Sequence, residues 1–338
     1  MRRFDSCLRC FSPLRGYEVC ARCGYDQADK KRRSECLPSF TALNGRYLLG
    51  MVLGRGGFGV TYAALDIQTN RRCAIKEYFP ADYSVREKNT KHIVCKEAEK
   101  AKQVFSVGRD RFLEEAKTIL RFRSNPLIVD VWGFFRENNT AYIVMEFVDG
   151  QDLEEFKKSR EGRLELPLTV RMTRTLSSTL VGMHRKGVLH RDIKPANIML
   201  TRSGSFKLCD FGSARDYVRA QRLGEAMSVL ISPGFSPPEQ YRKNGNQGPW
   251  TDVYALCATF YYLVSGKKPV DSYGRMRGVR VTSLYEQHCG VSRPLSDVIE
   301  RGMALDIPQR FADFERFLKA FDAATAMPVG TRRTSIKT

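Results

Sequence analysis

Three glycines, Gly54, Gly56 and Gly59, interrupt a stretch that keeps its strand texture on both sides, YLLGMVLGRGGFGVTYAALD. This placement constrains the fold more than any other feature of the chain. The spacing G-x-G-x-x-G serves a dinucleotide fold when it opens a helix. Here GVTYAALD runs on as a strand, so the glycines join two strands as a flap. Without side chains, such a flap can bring its backbone down over phosphates. The next strand carries CAIK and ends at Lys76, a cation suited to those phosphates. Further on, RDRFLEEAKTILRFR puts Phe112, Ala116, Ile119 and Leu120 on one helical face, and AYIVMEFV reads as an apolar strand. Beyond Gly150 the helices take over, in LPLTVRMTRTLSSTLVGMHRKG, LSDVIERGMAL and FADFERFLKAFDAAT. The expectation is a small β-rich lobe followed by a larger helical one.

HRDIKPAN (His190 to Asn197) and DFG (Asp210 to Gly212) supply an acid, a cation, an amide and a second acid within about twenty residues. Phosphoryl transfer needs this set: metal ligands, charge neutralisation and a group that orients the attacking hydroxyl. In this order the motifs resemble the eukaryotic-type (Hanks-type) protein kinase family, over roughly residues 44 to 322. The resemblance implies an α+β, bilobal protein-kinase fold, a small β-rich N-lobe and a larger helical C-lobe. Lys194 is the serine/threonine form of the catalytic loop, and AIKEYFP and PPEQY look like a bacterial branch of the family.

The resemblance also implies roles. Lys76 would hold the α- and β-phosphates of ATP, paired with a Glu on the first large helix. RFLEEA offers Glu114 and Glu115, and Glu115, which directly precedes Ala116, is the choice. Asp192 would accept a hydrogen bond from the substrate hydroxyl and take its proton late. Lys194 would neutralise the γ-phosphate, and Asn197 and Asp210 would hold Mg2+ (or Mn2+). Leu53 at the edge of the flap, Ala74 above and Met199 below would sandwich adenine, although apolar residues there could equally be plain core. Met145 looks like the gatekeeper, the Glu146 carbonyl and Val148 amide would read the adenine edge, and Asp152 would bond the ribose. Glu239 is expected to pair with Arg310, Asp252 to bond the catalytic-loop backbone, and Ser232 to bond Asp192 and Lys194. Arg191 suggests control by a phosphate in the activation segment, for which Ser228 is the candidate acceptor or simply a loop serine.

A second feature stands at the other end of the argument. Cys7, Cys10, Cys20 and Cys23 form two Cys-x-x-Cys pairs nine residues apart. Each pair turns two thiolates toward one ion, and the gap suits a short hairpin that brings the second pair across. The segment resembles a zinc ribbon of the rubredoxin-knuckle kind, with Gly24 where a knuckle needs positive φ. Iron would fit the same thiolates, whereas a redox dithiol would want a βαβ unit beside one pair. A segment this short cannot bury a core of its own, so a bound metal would supply its folding free energy. The remaining six cysteines read as scattered, mostly buried thiols.

The expected organisation is a zinc-ribbon-like module at 1–28, a basic linker at 29–43, a kinase domain at 44–325 and a disordered basic tail at 326–338. Lys76 and Glu115 stand 39 residues apart, a longer connection than the family uses, filled by a polar insert of regulatory or merely solvated character. Lys and Arg number 56 against 37 Asp and Glu, a formal charge of +19. Such a surplus attracts polyanions, or simply marks a basic enzyme. No secretory signal is visible, and VYALCATFYYLV is shorter than the roughly 20 residues a bilayer requires, so it reads as a buried helix. The expectation is a cytoplasmic protein with reduced thiols. Its partners would be ATP, protein substrates bearing Ser or Thr, and a docking partner held by the ribbon. Two other readings stay open: a pseudokinase scaffold, and a nucleic-acid-binding protein using Arg9, Arg15, Arg22, Tyr17 and Tyr25 of the ribbon.

Overall fold

The structure, a computed structural model, describes residues 5–28, 35–57, 59–210, 215–216, 231–242 and 244–326. It divides into two compact units, residues 1–125 with 129–148, and residues 126–128 with 149–338.

The first unit is built on a six-stranded antiparallel sheet. Its strands are β1 (Ala42–Leu43), β2 (Tyr47–Gly56), β3 (Gly59–Asp66), β4 (Arg71–Tyr78), β7 (Val131–Glu137) and β8 (Thr140–Glu146), in the order β1-β2-β3-β4-β8-β7. A smaller hairpin pairs β5 (Ser84–Arg86) with β6 (Ile93–Cys95). Period-two alternation puts Cys73, Ile75 and Glu77 on the buried face of β4. Helix α1 (Glu99–Leu120) buries Phe105, Phe112, Ala116 and Ile119, the i, i+7, i+11, i+14 face of a helix packed on a sheet. Tyr78 lies between Phe105 and Phe112, with ring centroids 5.4 and 5.6 Å away. A Cβ at Gly108, one turn from each phenylalanine, would collide with the Tyr78 hydroxyl, which explains a glycine in mid-helix despite its cost of about 1 kcal/mol. The insert after Lys76 is therefore half hairpin and half an extension of α1.

That insert is fastened from below. Glu77 is fully buried, and its carboxylate accepts from Tyr62 (2.9 Å), Tyr142 (2.9 Å) and Arg86 of β5 (2.7 Å). Burial pushes the Glu77 pKa up, against the pull of the Arg86 guanidinium and the two hydroxyls. Arg86 also donates to the Glu35 carbonyl, and the Leu37 N–H donates to the Tyr62 hydroxyl. Of the stretch expected as a linker, residues 29–34 lie outside the described residues. Cys36 and Leu37 are buried, and 42–43 form β1.

The second unit is mainly helical. A three-stranded sheet of β9 (Gly150–Asp152), β11 (Ile198–Thr201) and β12 (Phe206–Leu208) and a short pair, β10 (Val188–Leu189) with β13 (Arg215–Asp216), stand beside the helices. Five of these helices are α2 (Leu153–Lys158), α3 (Leu166–Arg185), α4 (Pro249–Ser265), α5 (Ser272–Met276) and α6 (Arg293–Gly302), and α7 (Phe314–Ala326) closes the series. The apolar run at 253–264 is the buried centre of α4, as expected, with every residue from Val253 to Val264 buried. A helix apolar all round belongs in a core. No helix among the described residues is long and apolar enough to cross a membrane.

Candidate active site and metal centre

The loop after β10 carries the expected catalytic residues, and α4 holds it. Asp252 sits in the first turn of α4, fully buried, and accepts from the N–H groups of His190 (2.9 Å) and Arg191 (2.7 Å). His184 Nε2 lies 2.8 Å from the same carboxylate. Burial alone would raise the Asp252 pKa, but His184 and the loop N–H groups outweigh it and hold it below the usual carboxylate range. Arg191 has a φ of 71°, a left-handed backbone that costs a non-glycine residue about 1–3 kcal/mol. The loop is fixed there because Gln240 donates to the Arg191 carbonyl (2.7 Å) and Arg191 Nε donates to Gln247 (2.8 Å).

This scaffold presents Asp192. Its Oδ1 accepts from the Ser232 hydroxyl (2.7 Å), and its Oδ2 accepts from Lys194 Nζ (2.7 Å) and Asn197 Nδ2 (2.9 Å). Lys194 Nζ also donates to Ser232 Oγ (3.0 Å), as expected of that serine. The Asp192 N–H donates to His190 Nδ1 (3.3 Å), so His190 must be neutral at that nitrogen, and burial lowers its pKa. Antiparallel pairing of Ile198 with Leu208, and the bond from the Cys209 N–H to the Asn197 carbonyl (3.0 Å), set Asn197 against Cys209, the residue before Asp210. Asn197 turns its amide nitrogen to Asp192, so its Oδ1 and the Asp210 carboxylate are the oxygens these two residues could offer a cation. Such hard oxygen donors suit magnesium. Asp210 is exposed with φ 56°. Phe211, Gly212 and Ser228 lie outside the described residues. Farther from the chemistry, Arg310 Nη1 donates to the buried Glu239 (2.7 Å), the clamp expected from sequence.

Also in this unit, Met199 of β11 faces Asp152 and Lys207 in register. Asp152 caps α2, accepting from the Glu155 N–H (2.9 Å), and burial raises its pKa. Capping is a sufficient reason for an aspartate there, besides the ribose role that the resemblance implies.

In the first unit, Lys76 lies on β4 opposite Thr61 and Ile143, with Nζ 6.0 Å from the Phe112 ring centroid. Phe112 is one turn before Glu115 on α1, so Lys76 reaches the helix face that carries Glu115. Ala74, buried, stands between Ala63 and Met145. Glu146 exchanges two bonds with Asp130, donating its N–H and accepting at Oε1, both 2.9 Å, just before Val148. Gly56 pairs with Gly59 at the flap, and Leu53 is exposed at its edge. The three glycines differ in kind. A Cβ at Gly59 would strike the Glu77 carbonyl, so that glycine serves strand packing, whereas Gly54 and Gly56 have open space where a side chain would stand. That open space fits a phosphate group approached by backbone alone.

The four N-terminal cysteines converge. Their sulfurs all lie within 4.8 Å of one another, with Cys7 and Cys23 at 3.6 Å and Cys10 and Cys20 at 3.5 Å. Tetrahedral zinc with thiolates at about 2.3 Å places sulfurs ~3.8 Å apart, so the donor set fits that ion. The two knuckles repeat each other: Phe11 N–H donates to the Cys7 carbonyl and Gly24 N–H to the Cys20 carbonyl, both 2.8 Å. Gly24 has the expected positive φ, 70°, and Phe11 holds the equivalent place at 59°. Arg9 N–H and Gln27 Nε2 approach Cys7 Sγ at 3.4 and 3.5 Å, bonds that favour a thiolate. Of the six single cysteines, Cys36, Cys73 and Cys257 are buried, while Cys95, Cys209 and Cys289 are half-buried, fewer than expected.

A family model described as the protein kinase domain matches residues 47–319, and the chain belongs to the protein kinase family. Serine/threonine-protein kinase F of Synechocystis sp. is 33% identical over 280 residues, 82% of this chain and 54% of that protein. Serine/threonine-protein kinase PknA of Mycobacterium tuberculosis is 32% identical over 239 residues, 69% of this chain and 50% of that one. The solved structure described as "PpkA-294 apo form" matches with a TM-score of 0.74 at 33% identity, covering 85% of this chain and 100% of its own. The chain spans about half the length of the curated relatives it matches.

One functional feature escaped the sequence reading. Glu77 is a charge on the core face of a strand, where it demands a buried partner. Strand alternation in CAIKEYF carried that signal, but nothing pointed to Arg86 as the answer.

Proposed function

We propose that this chain transfers the γ-phosphate of Mg-ATP to serine or threonine hydroxyls of protein substrates, from a kinase domain at 44–325. The observation that carries this reading is the Asp192 carboxylate, bonded on both oxygens by Ser232, Lys194 and Asn197. Asp192 would orient the substrate hydroxyl and receive its proton at a carboxylate oxygen as the bond to phosphorus forms. Lys194, already beside it, would neutralise the transferred group. Asn197 and Asp210 would hold Mg2+ (or Mn2+), which neutralises phosphate charge when bound. Lys76, oriented by Glu115, would hold the α- and β-phosphates under the flap of Gly54, Gly56 and Gly59. Leu53, Ala74 and Met199 would enclose adenine, Glu146 and Val148 would read its edge, and Asp152 would bond the ribose. The intact set argues against a scaffold without transfer, and the naming of the relatives as kinases supports the same side.

The four cysteines are proposed to hold one structural zinc. The ribbon's place against β2, described below, favours a part in the small unit over a freely tethered docking role. The proposed location is the cytoplasm, since ten cysteines in no disulfide suit a reducing compartment.

Transfer of radiolabelled phosphate to a protein substrate tests the assignment. Asp192→Asn should lower turnover by roughly 10²–10⁴ with nucleotide binding retained. Asp210→Asn should instead remove the metal dependence of productive ATP binding. Near-wild-type transfer by both variants would sink it.

A further inference from the structure

The ribbon touches the strand that leads into the flap. β1 covers the outer edge of β2 only as far as Leu48, and Leu49 is still tied to Thr41 and Phe40. Beyond it the pairing of β2 with β3 shifts register, between Leu49 and Val52 and again between Val52 and Gly54. At that irregularity the Met51 N–H donates to the Leu8 carbonyl, 2.8 Å away. Leu8 lies inside the Cys7–Cys10 knuckle, and its own N–H donates to Gln27 Oε1 (3.0 Å), whose amide nitrogen reaches Cys7 Sγ. Gly50 completes the contact: a Cβ there would run into the Leu8 carbonyl and come within 2.8 Å of Phe11 Cζ.

Phe11 makes this contact at a cost. The second knuckle meets the need for a left-handed residue with Gly24, which bears no penalty. The first knuckle uses a bulky aromatic at φ 59°, where a side chain crowds the backbone. What the aromatic gains there is its ring against Gly50. The strain and the glycine thus lie on opposite sides of one contact.

We propose that the Cys7–Cys10 knuckle is a positioning clamp for the ATP flap, with Leu8 and Phe11 as positioning residues that set β2 two residues before Leu53. The metal enters by fixing the knuckle's shape, so its loss lets β2 drift and weakens ATP binding rather than the transfer step. This rests on the kinase and zinc assignments above.

The test uses the full chain. Phe11→Gly removes the ring and relieves the left-handed strain while sparing all four cysteines. It should keep one zinc per chain by elemental analysis and keep kcat. KM for ATP should rise by about 3- to 10-fold, the worth of one lost contact of hydrogen-bond size. Amide hydrogen exchange supplies a readout independent of activity: Met51 and the following flap residues should exchange faster in Phe11→Gly, and in wild type stripped of zinc, while β4 and β8 keep their protection. Gly50→Ala, approached from the other side, should reproduce the effect. An unchanged KM with unchanged Met51 exchange in Phe11→Gly would overturn the clamp while leaving the kinase and zinc readings intact. So would a parallel fall of kcat, melting temperature and protection throughout the unit, which would mark a merely structural cap. Wild-type protein that carries no metal and transfers no phosphate would overturn those readings and the clamp with them.

Discussion

At the scale of the residue, backbone strain flanks the carboxylate proposed to orient the substrate hydroxyl. Arg191 and Asp210 both adopt left-handed φ without being glycine, and Asp252 and Gln240 secure the first of them through main-chain bonds. Ser232 joins this array from a distant segment. Its hydroxyl donates to Asp192 Oδ1 and accepts from Lys194 Nζ, so one oxygen bridges the acid and the cation alongside their direct 2.7 Å bond through Oδ2. Removing it should leave Asp192 Oδ1 without that donor and the carboxylate less firmly oriented. Ser232→Ala is expected to lower kcat by about 10- to 100-fold, the range for one hydrogen bond to a charged group, with KM for ATP little changed. Steady-state kinetics at varied ATP and fixed peptide measure both quantities. Equal kcat in variant and wild type would show the hydroxyl to be incidental.

At the scale of the element, the β5–β6 hairpin is the part of the chain that sequence left open between a regulatory insert and a solvated elaboration. Its anchor is the ion pair of Arg86 with Glu77, in which both side chains are nearly or wholly buried. Breaking one side of such a pair strands the other charge. Arg86→Met should destabilise the protein by about 3–5 kcal/mol, and pairing it with Glu77→Gln should recover a good part of that loss. Chemical denaturation of the single and double variants provides the comparison. No recovery in the double variant would mean that Arg86 acts by packing and by its bond to Glu35, not by charge. The proposed catalytic residues could be read from sequence because their motif is local: Asp192, Lys194 and Asn197 fall within six residues. Glu239 with Arg310 and Asp252 with the loop were reachable through the family resemblance. The Arg86 anchor was not, because its partner is set by tertiary packing of a hairpin whose own sequence is polar. Neither was the contact of Leu8 with Met51. A bond from a main-chain N–H to a carbonyl leaves no trace in side-chain pattern, and Gly50 and Phe11 look ordinary until they meet.

At the scale of the whole molecule, acid should weaken the fold in two stages. Burial lowers the His190 pKa from its ordinary value of 6.5, so the folded protein keeps it neutral while the unfolded chain takes up a proton. Stability is therefore lost as pH falls below about 6.5. Asp252 is depressed below its ordinary 3.8, so its contribution is present above that value and disappears only as pH falls through its folded pKa. Melting temperature measured from about pH 8 down to about pH 5 should decline over the lower part of that range, and the decline should be shallower in His190→Gln. A wild-type curve flat across the range would contradict the neutral, buried imidazole. The ribbon has a different bearing on the molecule as a whole, through the order in which it is made. Synthesis runs from the N-terminus, and domains fold as they emerge. The four cysteines leave the ribosome before β2 does, so a ribbon that has captured its ion can greet the strand as a finished mould. Zinc supplied during translation should then yield more active enzyme per chain than zinc added to a completed, metal-starved protein, because the late ion must reshape a knuckle against a strand that has already settled.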